Sequence, residues 1–194
     1  MKGNKSIKAV LPILILGFLF NCSSSRYLKI AKESPDELLA MEDSLLQVGE
    51  NFILINALTR AHNNIGLKNY KLMNYDSSIY HFSKSIKFIE KDTVANFYML
   101  MAQGNLLLET GKKNDAWSAI QTFNKASQLN PSSGIPYYYI GLAYRKIGDK
   151  DFDLIIEAFQ IALSLDLDID LKEKTKSAYE KEKKREKKLN DFWR

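Results

Sequence analysis

The chain has 194 residues, of which 45 % are hydrophobic and 26 % charged, and its net charge is +5. That length supports one domain with a real core, and that composition excludes wholesale disorder. The charge sits at the ends. Residues 1–22 carry Lys2, Lys5 and Lys8 and no acid, residues 172–194 carry ten Lys/Arg against five Asp/Glu, and the body between is net acidic. A nucleic-acid binder carries its basic face on the folded domain, so the pattern argues against a nucleic-acid partner.

The first element is a targeting segment. The three lysines form a positive n-region and the run AVLPILILGFLF, residues 9–20, an apolar h-region. That run falls short of the about 20 residues that span a bilayer. The competing reading, a buried N-terminal helix, lacks the polar face such a helix shows. The segment ends Leu19-Phe20-Asn21-Cys22, and Cys22 is the only cysteine. This resembles the bacterial lipoprotein box, although Phe20 and Asn21 stand where small residues are commoner. The resemblance implies cleavage after residue 21 and a diacylglycerol and an acyl chain on Cys22, with no other cofactor. A free cysteine in an uncleaved helix is the rival. Ser23, rather than an acid, after the cysteine resembles lipoproteins sent on to the outer membrane. The expected location is therefore the bacterial cell envelope, lipid-anchored in a bilayer. Residues 22–33 then read as a polar tether.

Ser34-Pro35-Asp36-Glu37 predicts a helix start, with Ser34 as cap and Glu37 closing a capping box. Leu38, Leu39, Met41, Leu45 and Leu46 give it an apolar face, Gly49 and Asn51 a break, and a second apolar stretch starts at Phe52. N-terminal helices are expected over 34–58.

From there the chain repeats. Ser78, Phe82, Ser85 and Phe88 share their order with Ala119, Phe123, Ala126 and Leu129, and with Ile155, Phe159, Ala162 and Leu165. Tyr137, Ile140, Gly141 and Tyr144 form a second pattern, and Ile65-Gly66 supplies its centre earlier, with His62 and Asn69 in place of the aromatics. Together these resemble the tetratricopeptide repeat, with its period of about 34 residues, W-x₂-L-G-x₂-Y, then A-x₃-F, then Pro. Pro131 fits the closing proline. The first half of repeat two is divergent, and either Ala102 or Gly104 fills its small position. The resemblance covers about residues 59–166 and implies an all-α fold: a TPR-like α-solenoid of antiparallel helix pairs over 59–169, about three repeats. Capping helices flank it, the last over 170–194 with Asp170 as cap and Leu171, Thr175, Ala178 and Tyr179 covering the final repeat. The charge run 180–188 reads as solvated, or as a basic tail near lipid headgroups. An ordinary helical bundle is the rival architecture.

Catalytic constellations are absent from the sequence. His62 and His81 lack zinc-ligand spacing. Asp166, Asp168 and Asp170, like Asp149, Asp151 and Asp153, start as calcium loops do, but Leu171 and Leu154 stand where glycine is required. No phosphate-binding glycine loop or nucleophile elbow occurs. The expectation is a non-enzyme. The resemblance implies a concave groove formed by Arg60, Asn63, Leu67, Tyr70 and Lys71 in repeat one and Ile135, Tyr138, Leu142, Arg145 and Lys146 in repeat three. That mixture of cations and rings suits a peptide carboxylate or acidic segment, though an ordinary polar face reads the same way. Two functions follow: a membrane-anchored scaffold for a protein or peptide partner, or a ligand-binding accessory of a small-molecule transporter. An open groove marks the first and a closed apolar pocket the second.

Overall fold

The computed structural model describes residues 26–148 and 152–192. Ten helices occur among them and no strand. Residues 26–33 form α1, followed by α2 (Pro35–Ala40) and α3 (Glu42–Val48). Three hairpins come next: α4 (Phe52–Lys71) with α5 (Tyr75–Phe88), α6 (Thr93–Glu109) with α7 (Lys113–Leu129), and α8 (Ile135–Ile147) with α9 (Phe152–Ser164). The last helix is α10 (Ile169–Phe192). Each hairpin helix packs on the next, and α4, α6 and α8 also touch in series, so the pairs stack side by side rather than around one centre. This is an all-α, TPR-like solenoid of about three repeats with flanking helices.

One contact recurs in every pair. A methyl group on Gly66 would lie 2.9 Å from Phe82 Cε1, and one on Gly141 would lie 2.6 Å from Phe159 Cε1. Gly104 meets Phe123 more closely still. The three rings are fully buried. Each ring fills the space that a side chain would occupy at the crossing, which is why the first helix needs glycine there. Phe82 then stacks on Tyr98 of the next pair (6.0 Å, 18°), and Phe123 on Tyr139 (5.4 Å, 25°). The same rings thus close a hairpin and join it to its neighbour.

Gly104, rather than Ala102, therefore sets the register of repeat two. Leu100 and Leu107 then stand where Tyr137 and Tyr144 stand in repeat three, and all four pack on the central core. Aliphatic residues at the aromatic positions are what made this repeat hard to read.

The ends differ from expectation. Residues 26–33, read as tether, are helical, and Ala31 is fully buried with Leu38, Leu54, Ala57, Leu58 and Ala61. Tyr27, Leu28, Ile30 and Ala31 supply an apolar stripe that α4 covers. Ser34 does not cap with its side chain. Its N–H already donates to Ile30 O (2.8 Å), because α1 runs straight into α2, so a capping box has no donor to satisfy. Asn51 does cap α4, accepting from Ile53 and Leu54 N–H. Since α4 starts at Phe52, the boundary drawn between residues 58 and 59 falls inside one helix. Asp168, not Asp170, caps α10 by accepting from Leu171 N–H at 2.8 Å. Thr175 is fully buried and Leu171, Ala178 and Tyr179 half-buried, as a cover for the last pair requires.

Two backbone bonds join the loops flanking the third hairpin. Asp166 N–H donates to Ser132 O (2.8 Å) and Gly134 N–H to Asp166 O (2.9 Å). A side chain on Gly134 would strike Ala162 O and Leu167, so the approach demands glycine.

Candidate functional site

The first helices of the pairs, α4, α6 and α8, share one side of the array. Two cavities lie there. The larger, about 920 Å³, is bounded by Leu67, Tyr70, Lys71, Met73, Tyr98 and Ile135, with residues 167–171 and Lys174 opposite. The smaller, about 500 Å³, is bounded by Asn105, Leu108, Glu109, Leu142, Arg145, Lys146 and Arg185. Tyr75 and Tyr139 border both, making one continuous cleft. Along α8 it runs from Ile135 to Lys146, about 17 Å of helix.

Of the groove residues read from sequence, Leu67, Tyr70, Lys71 and Ile135 line the larger cavity and Leu142, Arg145 and Lys146 the smaller. Tyr138 lines a side cleft shared with α10. Arg60 is exposed and borders neither cavity. Asn63 is half-buried and donates to Asp92 Oδ2 at 2.6 Å, so it ties the first pair to the start of α6. Arg145 is engaged within the chain: its Nε lies 3.2 Å from the fully buried Glu182 Oε1, while Arg185 donates to Glu182 Oε2 at 2.8 Å. The expected clamp for a partner carboxylate is thus already closed on the chain's own glutamate, and the charge run 180–188 is not wholly solvated. Cys22 and the signal segment lie outside the described residues.

Sequence reasoning left repeat two unmapped. Counting from Gly104 as from Gly66 and Gly141 gives Tyr98, Met101, Asn105, Leu108 and Glu109. All but Met101, which is fully buried, line the cleft. The signal was the glycine offset. Tyr75 and the α10 wall carried no such signal.

The cleft floor is phenolic. Tyr70 packs edge-on against Tyr98 (5.3 Å), and its hydroxyl receives Asn105 Nδ2 at 3.4 Å. Burial, then Tyr139, holds the Tyr70 hydroxyl well above the ordinary tyrosine range. Burial pushes Tyr75 up to about 12 and raises Tyr98, Tyr138 and Tyr139. These phenols are neutral at physiological pH and present rings and O–H donors rather than charge.

A second cluster joins α3, α4 and α5. Buried His62 has Nε2 2.9 Å from Glu42 Oε2 and Nδ1 3.1 Å from His81 Nδ1, and Lys84 Nζ lies 3.5 Å from Glu42 Oε1. With both rings neutral and Glu42 ionised, His62 Nε2–H donates to the carboxylate, and His62 Nδ1 accepts from His81 Nδ1–H. The ring sits at the aromatic position of repeat one, where it clasps the preceding helix. Among the described residues no group of three or more His, Cys, Asp or Glu is placed to hold a metal ion. No described helix is long and apolar enough to cross a membrane.

Neither a family model nor a curated protein matches the chain. Solved structures do. MamA residues 41–end from Desulfovibrio magneticus RS-1 is 15 % identical, covers 85 % of this chain and 94 % of its own, and has a TM-score of 0.46. A MamA RS-1 ArsTM double mutant is 18 % identical over 87 % and 94 %, with the same score.

Proposed function

We propose that the protein is a non-enzymatic scaffold of the bacterial cell envelope, held to the outer membrane through lipid on Cys22, whose concave cleft takes a peptide segment of a partner protein. The observation that carries the partner reading is the tyrosine-floored cleft. It is about 17 Å long by the helix it follows, room for about five extended residues. Tyr70, Tyr75, Tyr98 and Tyr139 offer rings and hydroxyls along the middle, and charges of both signs stand at the walls: Lys71, Lys146 and Lys174 against Glu109, Asp168 and Asp170. That favours a segment with an apolar or aromatic centre and charged flanks. The length and the charged walls favour a peptide over a transported solute, for which a closed apolar pocket suits better. Support for the anchor is the lipoprotein-box resemblance around Cys22. Detergent-solubilised membranes should yield a stoichiometric partner with the native chain, and Tyr139→Ala or Leu142→Asp should lose it. Recovery of that partner unchanged by either substitution would refute the cleft as its site. Mass spectrometry of the mature N-terminus tests the anchor: the first residue should be Cys22 with acyl mass.

A further inference from the structure

At the entry to the array, lysines from two elements converge. Lys32 at the end of α1 and Lys68 and Lys71 in the last turns of α4 line a cleft of about 690 Å³ with Asn64, Leu67 and Leu72. No acid borders it, and none of the three lysines is in an ion pair among the described residues. Lys71 also faces Asp168 and Asp170 across the larger cavity. A helix C-terminus favours Lys68 and Lys71 by itself. It favours Lys32 likewise at the end of α1, but it does not account for lysines from two helices lining one cleft.

Nor does it account for the turn that follows. Leu72 and Met73 are 67 % and 69 % exposed side by side, and Met73 holds φ 58°. The left-handed region costs a residue of this kind about 1–2 kcal/mol, and glycine or asparagine sits there more easily. An exposed methionine in a strained conformation, next to an exposed leucine and rimmed by lysines, has the chemistry of a bilayer interface: apolar tip into the acyl boundary, ammonium groups among phosphates.

We propose that this cleft and turn form a membrane-contact surface that seats the phosphate headgroups of anionic phospholipids. The anchor reading adds proximity. Four residues from Cys22 to Arg26 reach at most about 14 Å, and six residues of α1 add about 9 Å to Lys32. An acylated Cys22 would therefore hold the cleft within about 23 Å of the bilayer interface. The array would then lie against the membrane, its lysine-lined cleft adding a headgroup contact to the lipid on Cys22. The proposal rests on that reading only for this proximity.

The test uses residues 22–194 with Cys22→Ser, which leaves out the apolar run 9–20 and its lysines and removes the lipid and the native thiol. Met73→Cys then carries an environment-sensitive fluorophore, and Ser118→Cys, at an exposed position of α7, is the control site. Vesicles of phosphatidylcholine with phosphatidylglycerol should blue-shift the probe at position 73 and shield it from an aqueous quencher. Pure phosphatidylcholine should not, and the probe at position 118 should not respond to either. Lys68→Ala with Lys71→Ala should weaken the response at 73 about 25-fold, about 5-fold for each lysine. The proposal is overturned if position 73 stays in water, if the double lysine variant responds as the parent does, or if soluble glycerol phosphate at millimolar concentration abolishes the shift, which would make the cleft a site for free anions. Because no lipid is attached in these proteins, the outcome is independent of whether Cys22 is acylated in the cell.

Discussion

The middle of the array is held by apolar shape, and its two ends add buried charge to apolar packing. Between α4 and α9, each hairpin closes with a phenylalanine over a glycine. At the ends, a buried glutamate is added to the apolar contacts: Glu42 joins α3 to α4 and α5 through His62 and Lys84, and Glu182 joins α10 to α8 through Arg145. A central hairpin has apolar neighbours on both sides and needs only shape. A flanking helix has one neighbour and a wet outer face, and a buried ion pair fixes one geometry for it. Shape makes the stack; charge places its boundaries.

The comparison breaks most severely at a central ring. Phe123→Ala should cost about 3–5 kcal/mol, read as a lower urea midpoint for the whole chain. Gly104→Ala comes next. Helix propensity returns about 1 kcal/mol, but overpacking against a fully buried ring costs about 1–3. The order of loss should follow closeness of approach, Gly104 before Gly141 before Gly66, and an equal loss at all three would break the ring-over-glycine account. At the C-terminal boundary, Arg145→Ala should cost about 2 kcal/mol, because Glu182 keeps Arg185 but loses one partner. Hydrogen exchange should speed up in α10 and not in α6 or α7. The paired change Arg145→Met with Glu182→Leu should be near neutral, which separates an unpaired charge from a lost contact.

The smallest effect is at the N-terminal boundary. Burial lowers His62 against the opposing pull of Glu42, and burial, then His62, lowers His81 against Asp36 and Glu42. A histidine lowered on folding binds fewer protons in the fold than in the unfolded chain. Its contribution is therefore present above the ordinary value of about 6.5 and is lost as pH falls below it toward the lowered folded value. The urea midpoint should drop between pH 7.5 and pH 5, and His81→Ala should flatten that slope. A midpoint that rises on acidification would mean that the Glu42 pair with a charged His62 outweighs burial.

What could be read in the sequence was what depends on local spacing. Gly66, Gly141 and the three phenylalanines announce paired helices because the crossing geometry fixes their separation within one hairpin. The resemblance to the repeat family, not the spacing itself, pointed to Leu67, Tyr70, Ile135 and Leu142, which line the cleft. Partners chosen across the fold left no such trace. Nothing near His62 points to Glu42 twenty residues earlier, and nothing marks Glu182 among its charged neighbours as the one that turns inward. Arg145 was read as free for a ligand because its partner lies on another helix. Asp168 and Asp170 are equivalent caps on paper, and the backbone bonds of Asp166 decide where the turn begins.

Those bonds have an evolutionary consequence. The direction in which the last helix leaves the stack is set by main-chain groups at Ser132, Gly134 and Asp166, which survive exchange of the Ser132 and Asp166 side chains as long as residue 134 stays glycine. Descendants of this gene can rewrite the wall that residues 169–174 and Arg185 present to the cleft, while its aim is inherited unchanged.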